Sequence, residues 1–237
     1  MQLAFKQERP LFVLLNLSID SVEKEGVMRK RVPVPATSFA EWFIECALSN
    51  GAIALEECEL RNGQTRPYRV NPEKFSSVEL IDKVLFACNN AIRKRWPTPS
   101  FDVLYGFPLG EGMTHASAIA RKLSGMVLNR WEGSRAIRPL DEVLLISDII
   151  DSEREEDAIR FINGRGGNSI GICVVFNQQE RTKWNKLSAA QEFERKHNIP
   201  VVAAATLEDL IRVLKKKEGM EKIIKKIAAY QKKYCVC

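Results

Sequence analysis

The chain has 237 residues, 45% hydrophobic and 28% charged, which is ordinary for a globular protein with a sizeable core. Its formal charge of +6 is concentrated at the end: residues 212–237 carry nine Lys and Arg against two Glu, a net of +7, leaving −1 for the other 211. The body is therefore not a uniformly nucleic-acid-binding domain, and no apolar run approaches the roughly 20 residues of a membrane-spanning helix.

Residues 1–37 read as an N-terminal extension to one domain, 38–237. Within the extension, LFVLLNLSI at 11–19 is too short to span a bilayer and lacks a signal-peptide cleavage site, so it is expected as a buried or edge strand. Ser38-Phe-Ala-Glu41 is a capping box that opens an amphipathic helix through about Ser49, and Gly51 stops it. Glu57–Leu60 and Pro67–Val70 flank Arg61-Asn62-Gly63, where Asn-Gly signals a hairpin-like turn. Residues 77–94 read as a second helix.

Short apolar runs follow, each succeeded by a helical pattern: Val103–Tyr105, Met126–Leu128, Val143–Ile146, Ile170–Phe176 and Val201–Ala204. Runs that are apolar throughout are expected as central parallel strands covered on both faces. The fold class is thus α/β, a doubly wound, mainly parallel sheet. Leu207–Lys217 and about Met220–Tyr234 close the chain as helices divided at Gly219. In the second, Met220, Ile223, Ile224, Ile227 and Tyr234 share a face and the lysines lie elsewhere, as in a basic amphipathic helix docked on a domain.

The six cysteines are scattered, with no C-x-x-C pair, and His115 and His197 lie far apart, so no zinc-type metal site is indicated. Free thiols in a reducing cytoplasm are expected. The terminal Cys235-Val-Cys237 is not a prenylation tail, because Tyr234 stands fourth from the end.

In an open α/β sheet, ligands bind at the carboxyl ends of the strands. The loop after Val143–Ile146 therefore matters most, and it reads Ser147-Asp148-Ile149-Ile150-Asp151-Ser152-Glu153-Arg154-Glu155. A hydrophobic strand ending in an acid and a strand-to-helix turn resembles the diphosphate-sugar motif of type I phosphoribosyltransferases. Phe43–Leu48, Glu57–Gly63 and Pro67-Tyr68-x-x-Asn71 resemble orotate phosphoribosyltransferase in order and spacing, near its bacterial branch. So do Phe101–Gly110, Gln178-Gln-Glu-Arg181, Ala190–Arg195 and Thr206–Ile211.

The resemblance implies a phosphoribosyltransferase-type sheet with a small hood. It also implies transfer of phosphoribose from phosphoribosyl diphosphate, with Mg2+, to orotate, giving orotidine 5′-monophosphate in pyrimidine biosynthesis. The catalytic candidates it yields are Asp148 and Arg130. The substrate-binding candidates are Arg61, Tyr68, Gly110, Asp148, Asp151, Ser152, Arg154 and Gln178.

Four segments depart from the family pattern together. The glycines of the 5′-phosphate loop are replaced by Glu153 and Arg154, and Ser152-x-x-Glu155 reads as a capping box. A carboxylate about 4 Å from a phosphate costs about 4 kcal/mol at an effective dielectric of about 20. The acidic pair that meets the ribose hydroxyls is Ser147-Asp148, and Glu111 enters the pyrophosphate loop at Leu109-Gly110-Glu111-Gly112. The mobile loop of lysines and histidine is cut short between Arg130 and Arg138, removing cations that would stabilise departing pyrophosphate. In the base pocket, Arg69-Val70 replaces an aromatic pair and Asn177-Gln178 replaces Asp-Arg.

The expectation is an orotate phosphoribosyltransferase-like pseudoenzyme that acts by binding a ligand or partner. It is expected as a homodimer or a hetero-oligomer, with a nucleotide or phosphoribosyl compound as candidate ligand. The alternative is an active transferase. A nucleic-acid-binding regulator on the same fold is the remaining alternative, carried only by the basic tail. Neither nucleic acid nor membrane is the expected partner.

Overall fold

Strands β7 (Glu142–Ser147) and β8 (Asn168–Asn177) explain the sheet, since residues Val143 to Ile146 and Ile172 to Phe176 are all buried. Successive side chains point to opposite faces, so a strand apolar at every position must be covered twice. Leu144, Ile146, Cys173 and Val175 join one core cluster, while Val143, Leu145, Ile172 and Val174 join another. The computed structural model describes residues 38–60, 63–97, 101–106, 115–127, 130–131, 137–150, 152–182 and 186–236.

The main sheet has five parallel strands in the order β6-β5-β7-β8-β9, with β5 at Val103–Gly106, β6 at Arg130–Trp131 and β9 at Val201–Thr206. Helices α1 (Phe39–Ser49), α2 (Ile81–Arg95), α3 (His115–Val127), α6 (Leu207–Lys215) and α7 (Glu221–Tyr234) supply one layer. Helices α4 (Ser152–Gly164) and α5 (Ala189–His197) supply the other, through Ala158, Ile159, Ile162 and Phe193. The sheet is doubly wound.

Beside it, a hood consists of β1 (Ile53–Ala54) paired with β4 (Arg69–Val70), and β2 (Cys58–Glu59) paired with β3 (Thr65–Arg66), all antiparallel.

Local details differ from expectation in four places. The partner of the 57–60 arm is Thr65–Arg66, and Arg69–Val70 pairs instead with β1, so the hood is two small ribbons. Helix α2 starts at Ile81, because Pro72–Ser76 forms a 3-10 turn first. Met126 and Val127 belong to α3, continuing the helical spacing of Ala116, Ile119, Ala120 and Leu123, and the strand that follows is only Arg130–Trp131. At the start of α1, Ser38 Oγ accepts from Glu41 N at 3.2 Å, but the Glu41 carboxylate reaches Lys216 of α6 at 2.8 Å instead of folding back. Residues 11–19 and the rest of 1–37 lie outside the described residues.

Candidate functional site

The chain moves outward from β5 to β6, then returns past β5 to β7 and proceeds the other way to β8 and β9. The strand order therefore reverses between β5 and β7, and the carboxyl ends there flank the crevice where such sheets bind ligands.

On the β5 side the strand ends at Gly106. A Cβ at this position would lie 2.4 Å from the backbone of Ala116 and Ser117, so only glycine lets α3 approach this closely. Ser117 Oγ donates to Gly106 O at 2.5 Å and fixes the first turn of α3 on the strand end. His115 Nδ1 lies 2.9 Å from Ser76 Oγ, tying the same turn to the 3-10 segment. The intervening loop, 107–114, lies outside the described residues, and Gly110 and Glu111 with it.

On the β7 side the sequence candidates converge with one another. Asp148 is 6% exposed, and its Oδ1 accepts from Ile149 N at 3.1 Å and from Arg154 Nη2 at 3.4 Å. Ser147 Oγ lies 2.6 Å from Glu155 Oε1 and 2.8 Å from Ile149 O. Glu155 is 3% exposed. One oxygen of its carboxylate is turned inward to Ser147 from the first turn of α4, which begins at Ser152.

The first turn of α4 thus fills the strand end from within. What remains between Ala116, Ser147, Arg154, Glu155 and Ala158 is a void of about 10 Å3, room for one water. Arg154 Nε is buried there without a hydrogen-bond partner among the described residues.

Arg61 and Asp151 lie outside the described residues. Arg130 is placed by its backbone on the edge strand, in register with Val103 at the start of β5 and level with Val143. Gln178 follows the end of β8 and is half-buried. Arg69 pairs at the surface with Glu56 at 3.1 Å, and Val70 is buried against β1.

Tyr68 is wholly buried, edge-on to Tyr230 with ring centroids 6.4 Å apart and with the Arg66 guanidinium 5.0 Å from its ring centre. It belongs to a polar cluster that the sequence reading did not single out. Glu180 Oε1 accepts from Tyr230 Oη at 2.8 Å and from Arg66 Nη1 at 3.3 Å, while Arg66 Nε donates to Tyr68 O at 2.9 Å. Burial pushes the Tyr68 and Tyr230 hydroxyls well up from their ordinary values, and the Glu180 carboxylate adds to the effect. The available signal was Glu180 in Gln178-Gln-Glu-Arg181; nothing local marked Arg66 as its partner across the fold.

The resemblance implies Mg2+, but the donors among the described residues do not fit it. Of the ribose-side pair only Asp148 is a carboxylate, and it already faces a guanidinium. Among the described residues no group of three or more His, Cys, Asp or Glu is placed to hold a metal ion. Cys46, Cys58, Cys88 and Cys173 are free thiols.

No family model matches the chain. It is 29% identical over 213 residues to the orotate phosphoribosyltransferase of Xylella fastidiosa strain M12, covering 83% of this chain and 96% of that one. The crystal structure of Francisella tularensis orotate phosphoribosyltransferase superposes with a TM-score of 0.67 at 21% identity, over 82% of this chain and all of that one. The Mycobacterium tuberculosis orotate phosphoribosyltransferase in complex with 5-phospho-α-D-ribosyl 1-diphosphate gives a TM-score of 0.52 at 16% identity, over 73% of this chain and 99% of that one. The chain has the type I phosphoribosyltransferase fold and resembles orotate phosphoribosyltransferases along most of its length.

Proposed function

We propose that the protein is an orotate phosphoribosyltransferase-like pseudoenzyme, which keeps the scaffold and acts by binding without transferring phosphoribose. The observation that carries this is the pair of contacts Asp148–Arg154 and Ser147–Glu155. The groups that would meet ribose hydroxyls are satisfied by the helix turn that would meet the 5′-phosphate. A ligand entering here must break both contacts, and it then faces the Glu155 carboxylate, whose charge opposes a phosphate. Its assembly partner is a second copy, which sedimentation of the purified protein would reveal as a dimer, or a related or unrelated protein, in which case the purified chain would sediment as a monomer.

The experiment is calorimetric titration with phosphoribosyl diphosphate and Mg2+, then with orotate and orotidine 5′-monophosphate. The expected result is no heat at millimolar ligand from a folded sample. Pyrophosphate release that Asp148→Ala abolishes would overturn the proposal, and micromolar binding without turnover would overturn only the closed state of the turn. One observation favours that second, active reading: Arg154 Nε is an unengaged donor at the helix start. In an active protein the Arg154 side chain would swing from Asp148 to a phosphate, and Arg154→Ala would raise KM for phosphoribosyl diphosphate.

A further inference from the structure

A stripe of exposed lysines lies on α7, far in sequence from the β7–α4 turn. Lys222, Lys225, Lys226, Lys232 and Lys233 are all exposed. At 3.6 residues per turn they fall within an arc of about 120°, along about 16 Å of helix. Ala229, also exposed, sits in the middle of that arc and leaves room for close approach. The opposite side of the helix is occupied by the core, where Ile227 and Tyr230 are buried and Ile223, Ile224 and Tyr234 pack against it.

Helix stability does not account for this arrangement. Lys232 and Lys233 suit the last turn, where cations complement the helix dipole, but Lys222 lies in the first turn, where they oppose it. Lys222 also repels Lys225 and Lys226 at the spacings where neighbours on a helix meet. Among the described residues, Lys226 alone of the five has an acidic partner, Glu57 at 2.7 Å. Lys233 lies 4.8 Å from the centre of the Tyr234 ring.

An open groove of about 530 Å3 runs beside the stripe, between α7 and the β2–β3 ribbon. Gln64, Thr65, Pro67, Tyr234, Lys226 and Lys233 line it, with Glu57 as its one carboxylate among the described lining residues.

We infer that this face of α7 and the adjoining groove bind single-stranded nucleic acid, the lysines tracking the phosphates and the groove receiving bases. Successive lysines one turn apart offer a regular series of cations along a chain of phosphates, as in other single-strand grooves. The exposed large hydrophobics among the described residues are Val78 and Leu140, neither on α7, so the stripe has no apolar group to insert into a bilayer. Polar Gln64 and Thr65 can hydrogen-bond base edges, but nothing there supplies a sequence code. The surface functions whether or not the β7–α4 turn admits a sugar phosphate.

The test is fluorescence anisotropy of a labelled oligothymidylate with the full chain, from about 50 to 300 mM salt. Binding is expected to weaken with a log–log slope near −3, about −0.7 for each phosphate neutralised. Lys222→Gln should lower that slope by about 0.7, and joint Lys222→Glu, Lys225→Glu, Lys232→Glu and Lys233→Glu should cost at least about tenfold in affinity. These side chains are exposed, so an unchanged melting curve would show the variants folded. No binding at the lowest salt, or equal binding by the folded quadruple variant, would overturn the inference. So would competition by polyglutamate as effective as the oligonucleotide, or retention on phosphatidylserine vesicles in place of it.

Discussion

Gly106 and Arg154 show how much of this site depends on single side chains. A methyl group at Gly106 would run into backbone, which cannot rotate away as a flexible side chain could. Gly106→Ala is therefore expected to destabilise the protein by about 1–3 kcal/mol, the usual cost of overpacking, read as a lower denaturant midpoint. Among the described residues, Arg154→Ala leaves the buried Asp148 carboxylate with only the Ile149 N–H, and a loss of about 1–3 kcal/mol is expected. Adding Asp148→Asn should restore part of it, because the uncompensated charge goes with the carboxylate. Strictly additive losses in that double-mutant cycle would mean that the 3.4 Å contact contributes nothing.

At the scale of elements, α7 closes the fold. Ile227 is fully buried and Tyr230 donates to Glu180, which also holds Arg66 of the hood, so one carboxylate joins hood, sheet loop and last helix. Ile227→Ala is expected to cost about 2–5 kcal/mol and Tyr230→Phe about 1 kcal/mol, both measurable by chemical denaturation.

The sequence disclosed those elements whose signal is local. Continuous apolar runs marked β7, β8 and β9, and the helical pattern from Leu207 marked α6, whose cap at Thr206 went unread. It failed where a partner decides. Met126–Val127 is apolar enough for a strand, yet the helical spacing from Ala116 continues through it. Thr65–Arg66 carries no strand signal and pairs because the turn brings it opposite Cys58–Glu59. Asp148, Ser152 and Arg154 were legible as one segment, but the inward turn of Glu155 onto Ser147 was not, because no local spacing marks a contact eight residues apart.

For the molecule as a whole, buried tyrosines set the alkaline limit. Burial pushes the Tyr105 hydroxyl from the ordinary 10.0 up to about 12, and Tyr68 and Tyr230 are raised as well. A hydroxyl that holds its proton more tightly when folded stabilises the fold fully below the unfolded value. That contribution is then lost as pH rises. Stability should therefore hold to about pH 10 and fall through about pH 12. Phenolate absorbance should rise together with unfolding. Ionisation of these three tyrosines near pH 10 in a still-folded protein would contradict the burial described.

The pairing of Asp148 with Arg154 and of Ser147 with Glu155 also ties the shape of the site to the stability of the fold. Removing Arg154 strands a carboxylate, and removing Glu155 takes away the acceptor 2.6 Å from the Ser147 hydroxyl. Either substitution is expected to lower stability before any ligand is there to offset it, in a protein class whose total margin is only about 5–15 kcal/mol. Opening this turn and keeping the fold are thus opposed demands on the same few side chains.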